Sequence, residues 1–235
     1  MVKILLVGGT GQIGRYVLDQ CLAHPDIHDI VVFVRRELPS ELRQNSKIHT
    51  VLMTDFLNWS DEILSPHKDA VAMIWAIGDQ EGRQEINVDY PLACQKALIA
   101  MRSSMAAHER TFRYIHLSGK LTIQSQSRHL CLYEKPRKAK GLHELRALEM
   151  AHGYPWWKLY IIRPGLVVDS DGLGALLARN IMGSSWAVRG TELGDCMAYL
   201  ALGTVHSSES IVMNEDIVKL ATSHHAQKSP GTGRA

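Results

Sequence analysis

The sequence has no apolar run near the roughly 18 residues that a membrane-spanning helix needs. Its first apolar stretch, Ile4–Val7 behind Lys3, stops at glycine, too short for the apolar core of a secretory leader. Charge of either sign is not in excess. The 26 Lys and Arg against 24 Asp and Glu leave +2, spread along the chain, which argues against nucleic acid as the main partner. Paired cysteines are also missing. Cys21, Cys94, Cys131 and Cys196 lie far apart with no C-x-x-C, so they read as reduced, mostly buried thiols of an intracellular, cytoplasmic protein. There is no internal repeat and no metal motif. His143-Glu144 opens the zinc-helix pattern, but Ala147 stands where the second histidine belongs. His224-His225 falls in a polar tail, and His116 inside a strand reads as a satisfied buried histidine. A hydrolase elbow is excluded because Leu117-Ser118-Gly119 lacks the glycine two before the serine.

What is present is 46% apolar residues, enough for a substantial core, arranged in alternating strand and helix patterns. Strands are expected at Val2–Val7, Ile30–Val34, Lys47–Met53, Ala70–Ala76, Phe112–Leu117 and Trp157–Ile162. Helices are expected at Ile13–Leu22, Gln84–Met105 and Pro136–Ala151, the last with proline near its first position. Short, buried, β-branched strands between helices imply an α/β fold of the Rossmann type: a doubly wound parallel sheet with helices on both faces. The residues after Arg163 leave room for a small C-terminal helical cap, around Leu173–Ile181 and Glu192–Leu202, rather than a second domain. The expectation is therefore one nucleotide-binding domain over 1–222, with cap elements from about 166. The tail 223–235, rich in Gly, Pro and Ser, is expected to be disordered.

The stretch Gly8-Gly9-Thr10-Gly11-Gln12-Ile13-Gly14 joins the first strand to the first helix. It satisfies G-x-G-x-x-G at 9, 11 and 14, and G-x-x-G-x-x-G at 8, 11 and 14. One glycine makes the tight turn, one lets backbone approach a pyrophosphate, and one lets helix and strand pack closely. The helix N-terminus then offers free N–H groups and a positive dipole end to the anion. Gly8, Thr10, Gly11, Gln12, Ile13 and Gly14 are thus candidate cofactor-binding residues. An NAD site carries an acid at the end of the second strand, whereas this chain has Val34-Arg35-Arg36. A guanidinium at Arg35 or Arg36 can pair with a 2′-phosphate, which favours NADP(H). Two solvated loop arginines are the alternative.

These motifs resemble the short-chain dehydrogenase/reductase superfamily, and within it the atypical branch of NmrA-like proteins and small NADPH-binding reductases. The resemblance rests on VGGTGQIG, Thr54-Asp55-Phe56, Ala76-Ile77-Gly78, Ile86-Asn87-Val88-Asp89, Leu117-Ser118-Gly119 and Ile162-Arg163-Pro164-Gly165, in that order over residues 1–220. It implies that Asp55 contacts the adenine amino group with Phe56 beside the ring. It further implies that Ala76, Ile77 and Gly78 line the cofactor ribose, and that Pro164 belongs to the cofactor site.

Reductases that this chain resembles use serine, tyrosine and lysine, the last two at i and i+4 on one helix face. Ser118 and Lys140 match, but four residues before Lys140 stands Pro136, which has no acid or base. Tyr133 lies seven residues before Lys140, and four after Tyr133 is Arg137. Ser118, Tyr133 and Lys140 are the catalytic candidates, Lys140 also as a cofactor contact. Three readings stay open. Tyr133 folds in to act with Lys140; or Lys140 and other groups run a chemistry other than carbonyl reduction, such as a cofactor-assisted isomerisation or cyclisation; or the chain binds NADP(H) without turnover, as a sensing regulator. A small-molecule substrate is expected, with no nucleic acid, membrane or metal. A second copy or a protein partner stays open.

Overall fold

In the computed structural model, residues 2–104, 110–169, 183 and 185–228 are described. The strands are β1 (Val2–Val7), β2 (Ile27–Val34), β3 (Ile48–Leu52), β4 (Ala72–Trp75), β5 (Phe112–Leu117), β6 (Trp157–Arg163), β7 (Leu166–Val168), β8 (Ala187–Arg189) and β9 (Ile211–Met213). The helices are α1 (Gln12–Ala23), α2 (Ser40–Arg43), α3 (Asp61–Leu64), α4 (Tyr90–Ser103), α5 (Glu134–His152), α6 (Gly190–Leu202) and α7 (Asn214–Lys228). Seven strands form one sheet in the order β3-β2-β1-β4-β5-β6-β9, every pair parallel. β7 and β8 form a separate parallel pair.

Alternation within a strand sorts side chains to the two faces. Ile4 and Leu6 of β1 join one core with Val17 and Leu18 of α1 and Leu193, Cys196 and Met197 of α6. Leu5 and Val7 join the other with Leu92 and Leu98 of α4 and Ala147 of α5. Both faces are covered, so the strands read as apolar runs. The chain reverses its winding between β1 and β4, and a crevice opens beyond the carboxyl ends of those strands, where doubly wound sheets take their ligands.

The structure departs from the sequence expectations in three places. The helix expected from Gln84 begins as a π turn at Glu85–Asp89 and becomes α-helical at Tyr90, with Pro91 in its first turn. Pro91 has no N–H to donate, so the regular ladder restarts there. The helix expected at Glu192–Leu202 exists as α6, but it lies against α1, where Cβ atoms at Gly190 and Gly194 would collide with Tyr16. It is a layer of the main fold, and β9 beyond it closes the sheet edge. The tail is the third difference: α7 runs to Lys228, six residues into the segment expected to be disordered. The helix expected at Leu173–Ile181 lies outside the described residues.

Candidate active site

The glycine loop has the conformation its composition demands. Gly8 sits at φ +92°, where an L side chain is strained, and a Cβ there would stand 2.8 Å from the Ala76 carbonyl carbon. A Cβ on Gly14 would come within 1.9 Å of the Gly8 carbonyl oxygen, so α1 packs directly on the turn. Gly11 is the N-cap of α1, and no side chain caps that end. A Cβ on Gly11 would meet only the Gly8 carbonyl oxygen, at 3.4 Å. Bare backbone and uncapped N–H groups therefore face outward from the first turn, the arrangement that receives a phosphate.

This loop forms one wall of a cleft of about 560 Å³. The other walls are Phe33 to Glu37 and Pro39 after β2, Phe56 after β3, and Ala76, Ile77 and Gly78 after β4. Thr10, Arg35 and Arg36 are exposed along it. Glu37 also borders the cleft, but its carboxylate is held by Arg43 at 2.7 Å. Gln12, Ile13 and Gly14 form the first turn behind the loop rather than the wall. Asp55 is not in the wall either; its Oδ1 accepts the Leu57 N–H at 2.8 Å and closes the turn after β3. Phe56 is buried, with its ring packed against Trp59, Trp75 and Tyr90 at 5.9–6.2 Å. Pro164 is buried beside the sheet, and its carbonyl accepts the Lys120 N–H at 2.8 Å.

The cleft continues toward α5 through Gly78. A Cβ on Gly78 or on Gly119 would stand 3.9 Å from the Lys140 amine. The structure thus brings Lys140 to the ends of β4 and β5. Ser118 is buried just behind, and its hydroxyl donates to Glu144 Oε1 at 2.6 Å. Thr122 shares a bond with Ser118 at 3.1 Å, and Gln124 donates to Glu144 Oε2 at 3.0 Å. The guanidinium of Arg163 closes the group as a fork, with Nε 2.9 Å from Oε1 and an Nη2 bond to Oε2. Glu144 is fully buried. Below this, His116 and His143 lie with ring centroids 3.8 Å apart and planes tilted by 33°, and His143 meets Gln95 at 3.0 Å. Burial pushes the His143 imidazole down to about 3, and it also pushes His116 far below the ordinary histidine range, helped by His143 and Lys140.

Tyr133 is not gathered into this group. It is the N-cap of α5, in the left-handed region at φ +52°, and three-quarters exposed. Its hydroxyl makes no hydrogen bond with a described residue. The position of the expected tyrosine, Pro136, is covered by backbone: Gly82, at φ +76°, would place a Cβ 2.5 Å from the Pro136 nitrogen. Asp79 precedes that turn, clamped by Arg83 at 2.7 Å and through its N–H by Asn87 at 3.1 Å. The Arg83 hydrogen bonds hold the Asp79 carboxyl below the usual carboxylate range. Glu144, Arg163, Gln124, Thr122 and Asp79 are thus site residues that sequence reasoning missed. One signal for Glu144 was available: it follows Lys140 by four, on the same helix face.

Residues 4–128 match the NAD dependent epimerase/dehydratase family. The chain belongs to this family. Its fold agrees with that of a short-chain dehydrogenase/reductase from Saccharomyces cerevisiae (TM-score 0.62, 13% identity, 88% of this chain and 92% of that one). It also agrees with a 3-oxoacyl-(acyl-carrier protein) reductase from Brucella melitensis (TM-score 0.65, 13% identity, 93% and 97%). In sequence the chain is similar to leucinostatins biosynthesis cluster protein T of Purpureocillium lilacinum, 25% identical over 177 residues, 69% of this chain and 64% of that protein. A shorter match, 29% over 65 residues and 28% of each chain, is to protein fmp52-1, mitochondrial, of Aspergillus oryzae. The chain spans less than two thirds of the length of either relative. Family membership implies a nicotinamide dinucleotide, and the glycine cradle and cleft fit one. Among the described residues no helix is long and apolar enough to cross a membrane, and no group of His, Cys, Asp and Glu could hold a metal ion.

Proposed function

We propose that this chain is an NADP(H)-dependent oxidoreductase acting on a small organic carbonyl or imine. The observation that carries the cofactor preference is the wall after β2. Arg35 and Arg36 are exposed in the cleft that the glycine loop borders, and the nearby acid, Glu37, is already paired with Arg43. A 2′-phosphate there would meet free guanidinium groups, while a 2′-hydroxyl would find no free carboxylate. The far end of the cleft is a place for hydride chemistry, which a bound nicotinamide would supply. Gly78 and Gly119 leave room there beside Lys140. The name of the Purpureocillium relative, a biosynthesis cluster protein, fits a small-molecule substrate.

Arg35→Ala with Arg36→Ala is expected to weaken NADPH binding by about 10–100-fold, the equivalent of one or two charge-assisted bonds. NADH affinity should move less than threefold. Calorimetric titration of the double variant and wild type reads this directly. Equal losses for the two cofactors would return the arginines to an ordinary solvated loop. Pro136 and the exposure of Tyr133 favour a second reading, a regulator that binds the dinucleotide without turnover. That protein would bind NADPH with the same preference and oxidise none with any carbonyl.

A further inference from the structure

Carbonyl reduction needs a proton at the substrate oxygen, and few groups near Gly78 and Gly119 can give one. The single hydroxyl proton of Ser118 lies on Glu144. Both oxygens of Glu144 are taken by Ser118, Gln124 and Arg163. Asp79 is clamped by Arg83. His116 and His143 are sealed inside the sheet–helix interface. Pro136 has no proton to give, and Tyr133 is two helical turns, about 10 Å of rise, from Lys140. Lys140 alone is uncommitted: it is partly buried, and its amine makes no hydrogen bond or ion pair with any described residue.

We propose that Lys140 is the proton donor and acceptor at the reacting oxygen, and that Ser118, Glu144 and Arg163 form a fixed wall that positions α5 behind it. This rests on the oxidoreductase reading. A bound reduced nicotinamide would supply hydride to the carbonyl carbon, leaving the former C=O π pair on the oxygen. That oxygen takes a proton from Lys140, one N–H bond breaking as the O–H bond forms. The neutral amine recovers its proton from water, and alcohol oxidation runs the same steps backward. Burial lowers the Lys140 pKa from the ordinary lysine value, and the charges of Asp79 and Glu144 pull against that shift. Asp79 faces the amine from the loop after β4, Glu144 from the next turn of α5, and the neutral His116 from β5. An amine whose pKa is lowered by burial gives up its proton more readily than an ordinary lysine and regains it from water, the exchange a tyrosine performs beside a cation.

The test uses the whole chain with NADPH and 9,10-phenanthrenequinone as a probe diketone. Lys140→Arg keeps a cation and donors, but its proton is not released in the working range. NADPH oxidation should fall by about 100-fold or more in Lys140→Arg and Lys140→Met. The NADPH Kd should rise less than threefold in the arginine variant. Ser118→Ala should lose no more than tenfold. A second readout needs no turnover: the ¹³Cε resonance of Lys140, assigned by its loss in Lys140→Arg, should titrate below the ordinary 10.5. A midpoint at or above 10.5, a retained rate in Lys140→Arg, or a tenfold loss in Tyr133→Phe overturns the assignment. Wild type that binds no NADPH in calorimetry overturns the functional reading instead.

Discussion

Replacing Arg163 by methionine should lower the unfolding free energy by about 3–5 kcal/mol, the usual cost of stripping one partner from a buried ion pair. Glu144 is fully buried and carries bonds from Ser118, Gln124 and Arg163, and among the described residues only Arg163 is in direct ionic contact with it. Methionine fills similar volume, so packing changes little and the effect isolates the charge. For a chain of this size the midpoint of thermal unfolding should drop by roughly 6–20 °C. Adding Glu144→Gln should recover much of the loss, because it removes the stranded carboxylate. Urea denaturation of the single and double variants at pH 7 measures both effects. A loss below about 1 kcal/mol in the single variant would mean that water reaches the pair.

Acid should destabilise the protein well above the range in which carboxylates titrate. His116 and His143 are both held neutral in the fold, His143 down to about 3. In the unfolded chain the same imidazoles take up protons near pH 6.5. Protons therefore bind the unfolded state preferentially. The full contribution is present above pH 6.5 and is lost as pH falls toward the folded value. A histidine approaches a slope of about 1.4 kcal/mol per pH unit within that window, so His143 removes roughly 2 kcal/mol between pH 6.5 and 5, and His116 acts in the same direction. The Nδ1 atoms of both rings lack a partner among the described residues, so a proton there would have no acceptor. His143→Gln should lower the slope of stability against pH. An unchanged slope would place the acid sensitivity elsewhere.

The glycine loop and the cleft wall after β2 were legible because their parts are local. Gly8, Gly11 and Gly14 meet within one turn, and Arg35 and Arg36 follow directly on a strand whose direction the apolar pattern sets. The cluster of Ser118, Glu144 and Arg163 was not, because its partners meet only when α5 packs beside β6. Glu144 and Arg163 are 19 positions apart, and no local spacing announces a fork between them. Glu144 stands in an incomplete zinc-helix pattern, and its relation to Lys140 at i−4 is one that any exposed helix pair could show. Tyr133 matched the heptad spacing to Lys140, but Pro136 sits in the first turn of α5 and Tyr133 caps that helix with a left-handed backbone, so the ring leaves the face that Lys140 occupies. In the second half, α6 reads as a helix from its pattern, yet its place against α1 depends on Gly190 and Gly194 accepting Tyr16, a fit that a single-helix pattern does not carry.

The proposed occupant of the cleft beside the glycine loop is a phosphorylated nicotinamide dinucleotide. Calorimetric titration of the purified chain with NADPH, NADP+, NADH and NAD+ decides this. Micromolar or tighter binding of the 2′-phosphorylated pair is expected, with at least tenfold weaker binding of the other two. Equal affinity for all four would contradict the roles of Arg35 and Arg36, and binding of none would contradict the dinucleotide site itself.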